Sequence, residues 1–145
     1  MANIAERPLV AVVGGDTLLG KEIRELLDQH KPVPRVELIS TVADGAAVLV
    51  AAEDEPLVMT PLSAQSLEGS RVAFLAGTAA SSRRTLKVTP PGGPGLIDLA
   101  GSLEEQPEAR LRAPSAEPAG SGGKTGGVPS IQVIAHPAAI ALAMF

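Results

Sequence analysis

Leu9-Val10-Ala11-Val12-Val13 is an unbroken apolar run that stops at Gly14-Gly15. An apolar stretch of this length without alternation predicts a strand covered on both faces, which is the habit of parallel sheets. The period then changes. Leu19, Ile23, Leu26 and Leu27 recur at helical spacing while Lys21, Glu22, Arg24, Glu25 and Asp28 take the other side, so an amphipathic helix ending before Pro32 follows. Val36-Glu37-Leu38-Ile39-Ser40 supplies the next strand. Strand, glycine turn, helix and strand within about 30 residues form a βαβ unit with a right-handed crossover. The unit places the chain in the α/β class, with a mostly parallel sheet and flanking helices.

The same patterning predicts further strands at Ala46 to Ala52, Leu57 to Thr60, Arg71 to Ala76, Gly95 to Leu99 and Ile131 to Ala135, with a helix from Ser81 to Val88. Between Ala113 and Pro129 the material differs. Pro, Gly, Ser and Ala dominate and leave nothing to bury, so 113–129 reads as a surface loop joining two elements of one sheet. Ala138 to Phe145 is apolar on every side, which predicts a helix packed against another surface, including that of a second copy of the chain.

Composition narrows the class. The 145 residues are sufficient for one domain, 1–145, with a single core. Hydrophobic residues make up 45% but aromatics 1%, with Phe74 and Phe145 the two examples, so Val, Leu, Ile and Ala must build that core. Net charge is −4 and the basic residues are scattered, which gives nucleic acid neither an electrostatic footprint nor stacking platforms. No apolar run approaches the ~20 residues of a membrane span, and Met1 to Arg7 lacks the apolar core of a signal peptide, so a cytoplasmic setting is expected. Cysteine is absent from the chain, which removes thiolate nucleophiles, disulfides and thiolate metal sites together.

The candidate chemistry gathers at two turns. Gly14-Gly15-Asp16-Thr17-Leu18-Leu19-Gly20 joins the first strand to its helix, where backbone N–H groups and the positive end of the helix dipole suit a dinucleotide's pyrophosphate. Gly14, Asp16, Thr17, Leu18 and Leu19 are therefore cofactor-site candidates. Asp16 has a second reading as the helix N-cap, which would occupy the donors a phosphate needs. Ser40 closes the second strand at the ribose position. The residues after it, Thr41-Val42-Ala43-Asp44, lack both the acid and the arginine that would separate NAD from NADP there. Gly77 and Thr78 lie in the second turn, Ala76 to Arg83, whose other reading is a plain strand-to-helix junction capped by Ser81 or Ser82.

Other motifs fail on context. Gly120-Ser121-Gly122-Gly123-Lys124-Thr125 ends like a phosphate loop, but no hydrophobic strand precedes it and Gly126-Gly127-Val128-Pro129 cannot begin a helix. His30 and His136 are too few and too separated for a metal site, so no metal is expected; His30 suits the end of the first helix. Glu53-Asp54-Glu55 and Glu104-Glu105 read as solvated loops and not as an acid–base pair.

Four landmarks in order resemble the NAD(P)-binding half of the aspartate-semialdehyde dehydrogenase family. Gly14, Leu19 and Gly20 match its G-A-T-G-x-V-G loop, with Thr17 in place of the middle glycine. Ala76 to Arg83 is similar to its S-A-G-G-S-V-S-R/K run, Leu96 to Ser102 to its V-I-D-N-S-S, and Ile134 to Ala139 to its I-A-N-P-N-C segment, with His136 at the asparagine. The resemblance implies a Rossmann-like fold, NADP or NAD as cofactor, and reduction of an acyl phosphate to a semialdehyde in amino-acid biosynthesis through a cysteine thioester. Ala139 stands at the nucleophile's position. The family's second domain, which holds substrate, the general-base histidine and the dimer contacts, has no counterpart in the chain. The expected function is a dinucleotide-binding domain without catalytic activity. The alternative is a structural or interaction protein whose cleft has closed with Asp16 as the cap.

Overall fold

A computed structural model describes residues 7–42, 48–52, 55–113 and 130–134. In chain order these form β1 (Leu9–Val13), α1 (Leu18–Gln29), β2 (Arg35–Ser40), β3 (Val48–Ala52), β4 (Glu55–Pro61), a 3₁₀ turn (Gln65–Leu67), β5 (Ser70–Leu75), α2 (Ala79–Val88), β6 (Gly95–Asp98), β7 (Ala109–Arg112) and β8 (Ile131–Ile134). The strands make one eight-stranded sheet in the order β3-β4-β2-β1-β5-β6-β8-β7. Six of its seven pairings are parallel; β3 runs antiparallel to β4 at one edge. This is the Rossmann-like α/β architecture that the βαβ pattern predicts.

The strand order sets the site. From β1 the chain winds outward through β2 to β4, then returns to the other side of β1 as β5 and winds the opposite way. A doubly wound sheet opens a crevice at such a reversal, outside the carboxyl ends of the strands, because the connections that follow the two central strands leave toward opposite faces. Here those strands are β1 and β5. Their registers run in step from Val10↔Val72 to Val13↔Leu75, so the turns that follow them emerge side by side.

β1 is buried on both faces, as its unbroken apolar run requires. Ala11 and Val13 join a core with Ile39, Leu75, Leu96 and Val133, and Val12 joins Ile23, Ala76, Leu27 and Phe74 beneath α1. Helix α1 docks more narrowly than its periodicity suggests. Gly20 and Ile23 are its buried residues, while Leu26 is 66% exposed and Leu19 39%. The close approach of the helix at Gly20 takes the place of side-chain packing at its first turn.

Strand β7 has no forecast in the sequence. Ala109-Arg110-Leu111-Arg112 is too short and too charged to read as a strand, and Leu111 is 65% exposed. It is an edge strand, paired with β8 alone, where charged residues discourage further pairing. β7 and β8 flank the 113–129 segment and are neighbours in one sheet. Most of that segment, 114–129, lies outside the described residues, as do His136, Ala139 and the apolar run from Ala138 to Phe145.

Candidate functional site

Gly14 adopts φ +88°, a left-handed conformation that glycine reaches without strain. A Cβ there would also lie 2.8 Å from the Gly77 amide nitrogen, so glycine is required by space as well as by backbone shape. Gly20 is constrained in the same way. Its Cβ would fall 2.2 Å from the Gly14 carbonyl oxygen, so the first turn of α1 rests directly on the loop. The turns after β1 and β5 are thus in backbone contact. The Ala76 N–H donates to the Val13 carbonyl and the Gly14 N–H to the Ile39 carbonyl, both at 2.9 Å, which ties the two turns to the ends of β1 and β2.

Thr17 caps α1. Its backbone is extended, and its hydroxyl oxygen accepts from the Gly20 N–H at 3.0 Å. The same hydroxyl faces the Gly14 carbonyl at 2.7 Å and the Ala76 carbonyl at 3.0 Å, so it bridges to the β5 turn. The side chain that replaces the family's middle glycine is therefore turned inward. Asp16 is exposed and is not the cap, which corrects one of the two readings of that residue. The hydroxyl of Thr17 stands one residue closer to the helix, within reach of the N–H three residues on. Leu18 and Leu19 begin α1, with Leu18 76% exposed, and their N–H groups belong to the first turn, which has no intrahelical acceptors.

The second helix begins at the same place. Thr78 caps α2, accepting from the Ser81 N–H at 3.2 Å, and the helix starts at Ala79. The cap is therefore neither Ser81 nor Ser82, both of which are buried within the helix. Two helix N-termini, each carrying partial positive charge, meet at the β1/β5 crevice. Gly77 closes the approach on the third side, since a Cβ there would lie 2.8 Å from Cγ2 of Thr41, the residue after β2. Ser40 is buried, and its Oγ accepts from the Val42 N–H at 3.2 Å. The structure thus brings Gly14, Thr17, Ser40, Gly77 and Thr78 to one end of the sheet.

Two further residues bear on the site. Asp98, at the end of β6, is fully buried, and its carboxylate accepts from the N–H groups of Ala100 at 3.0 Å and Leu103 at 2.8 Å. The Ser82 hydroxyl stands 3.4 Å away, linking this turn to the start of α2. Arg84, on α2, donates to the Thr41 carbonyl at 2.5 Å. An acid placed directly after an apolar run and before Gly-Ser marks a turn clamp and could have been read from sequence. The Arg84 contact could not, because the partners are 43 residues apart. Among the described residues no group of three or more His, Asp or Glu could hold a metal ion, and no helix is long and apolar enough to cross a membrane.

A glycine-bound turn at a sheet reversal, with two helix N-termini aimed at it, defines a dinucleotide-binding domain of the Rossmann-like class. The family can also be stated. The model of the semialdehyde dehydrogenase NAD binding domain matches residues 9–122, and the chain belongs to that family.

Solved structures with the same fold include an aspartate semialdehyde dehydrogenase with NADP from Candida albicans, at 15% identity and a TM-score of 0.67, matched over 88% of this chain and 42% of that one. A probable aspartate-semialdehyde dehydrogenase from Pseudomonas aeruginosa has 23% identity and a TM-score of 0.61, over 94% of this chain and 40% of that one. The aspartate semialdehyde dehydrogenase II complexed with ASA from Vibrio cholerae has 14% identity and a TM-score of 0.56, over 75% and 36%. The chain spans about two fifths of the length of these relatives. No curated protein matches the chain.

Proposed function

We propose that the chain binds NAD(P) at the β1/β5 crevice and contributes no thiolate chemistry of its own. The observation that carries this reading is the meeting of the Thr17-capped and Thr78-capped helix N-termini across the Gly14–Gly77 contact. The residues fit the group. The first-turn N–H groups of Leu18 and Leu19 suit a pyrophosphate, and the inward turn of Thr17 leaves them uncovered by a side-chain cap. Asp16, the other candidate for that role, is exposed, and this favours an open binding turn over the closed scaffold.

A bound nicotinamide would supply hydride exchange; these residues would hold the dinucleotide by its pyrophosphate. Catalysis of the family's kind needs a cysteine at the position aligned with Ala139, and the chain has none. The reading is therefore a binding domain that is catalytically silent as it stands. Its setting is cytoplasmic, a view supported by the absence of cysteines, and the apolar 138–145 segment is its surface for self-association. Calorimetric titration with NADPH and with NAD tests the core of the reading. Binding tighter than millimolar is expected for at least one, and silence with both would favour the scaffold.

A further inference from the structure

The residues directly after Ser40 leave the choice between NAD and NADP open, but the fold delivers a cation to that place from another element. Arg84 lies in the second turn of α2 and is half-buried. Its Nη2 donates to the carbonyl of Thr41, the first residue past β2, whose side chain adjoins Gly77 at the mouth of the crevice. Among the described residues this is the one side-chain hydrogen bond Arg84 forms, although a guanidinium carries five N–H donors. Its Nε is buried with no partner. The group is held in place and remains under-bonded.

In a doubly wound sheet with the pyrophosphate at the first helix, the adenosine ribose lies over the end of the second strand. A carboxylate there accepts from the 2′-hydroxyl of NAD, and an arginine there pairs with the 2′-phosphate of NADP. The carboxylate on β2, Glu37, is instead bonded to the Thr60 hydroxyl on β4. Ser40 is buried and takes up the Val42 N–H. We propose that Arg84 selects NADP(H) over NAD(H), its guanidinium pairing with the 2′-phosphate while the Thr41 carbonyl holds it over the end of β2. This inference rests on the dinucleotide-binding reading above. It needs no arginine on the β2 loop.

Adenosine 2′,5′-bisphosphate and 5′-AMP differ by the 2′-phosphate alone, and their affinities, with those of NADPH and NADH, form the test. The wild-type chain is expected to bind the bisphosphate about 10- to 100-fold more tightly, the range of a charge-assisted hydrogen-bonded pair. Arg84→Gln should bring that ratio near one and leave NADH affinity within about twofold. Arg84→Lys should keep part of the preference. Lys87→Gln, three residues further along α2 and exposed, should leave the ratio unchanged. A thermal melt of each variant confirms that it folds. A wild-type ratio near one, or an Arg84→Gln ratio as large as wild type, would overturn the proposal while leaving dinucleotide binding intact. Silence with every nucleotide, NADH included, would overturn both.

Discussion

Asp98 offers the sharpest test of how the site is held. Its carboxylate sits at zero exposure and takes two backbone N–H groups, one on each oxygen: Ala100 on Oδ1 at 3.0 Å and Leu103 on Oδ2 at 2.8 Å. Asp98→Ala leaves both donors without an acceptor. The Leu103 N–H is buried, so water cannot replace the lost oxygen, and each orphaned donor costs about 1–3 kcal/mol. The sum is about 2–6 kcal/mol, a large share of the ~5–15 kcal/mol that holds a domain of this size. At about 2.1 cal/mol/K of unfolding entropy per residue, this corresponds to a fall in Tm of roughly 7–20 °C.

Asp98→Asn preserves shape but can present an oxygen to only one of the two donors, the other facing an NH2 group. A loss of about 1–3 kcal/mol is expected. The Ser82 hydroxyl lies 3.4 Å from the same carboxylate, too long for a strong bond, so Ser82→Ala should cost less than about 1 kcal/mol. Urea denaturation followed by circular dichroism ranks the three, given a two-state transition. The expected order of damage is Ala, then Asn, then the serine variant. If both Asp98 variants lie within about 0.5 kcal/mol of wild type, the carboxylate does not clamp the β6 turn and the reasoning fails.

Gly14→Ala should destabilise more than Gly92→Ala, although both sit at positive φ, because a Cβ at 14 meets the Gly77 backbone while one at 92 meets nothing within 4 Å. Strain alone accounts for about 1–2 kcal/mol at either position, so a Tm difference between the two variants isolates the contact, and equal losses would deny it. Thr17→Ala removes the cap of α1 and its bridge to Ala76, for a loss of about 1–2 kcal/mol that Thr17→Ser should largely restore in thermal melts. Assayed with aspartate semialdehyde, phosphate and NADP, the chain should show no turnover above background. Turnover would refute the proposed inactivity.

What the sequence determined by itself was the local period and the steric need. The unbroken run from Leu9 to Val13 read as a strand covered on both faces. Glycines at 14 and 20 marked the turn that joins this strand to its helix, and the lack of any cysteine excluded a thiolate. These follow from neighbours a few residues apart. The tertiary structure decided the rest. Which of Asp16 and Thr17 would cap α1 depended on Ala76, the residue after β5, which gives the Thr17 hydroxyl a second acceptor. Strand β7 exists because β8 offers it an edge, a partner that the charged stretch Ala109–Arg112 gives no sign of needing. Arg84 meets Thr41 because the reversal of strand order sets α2 beside the end of β2. A contact of that kind leaves no period along the chain, since it depends on where the sheet turns back and not on what stands next in line.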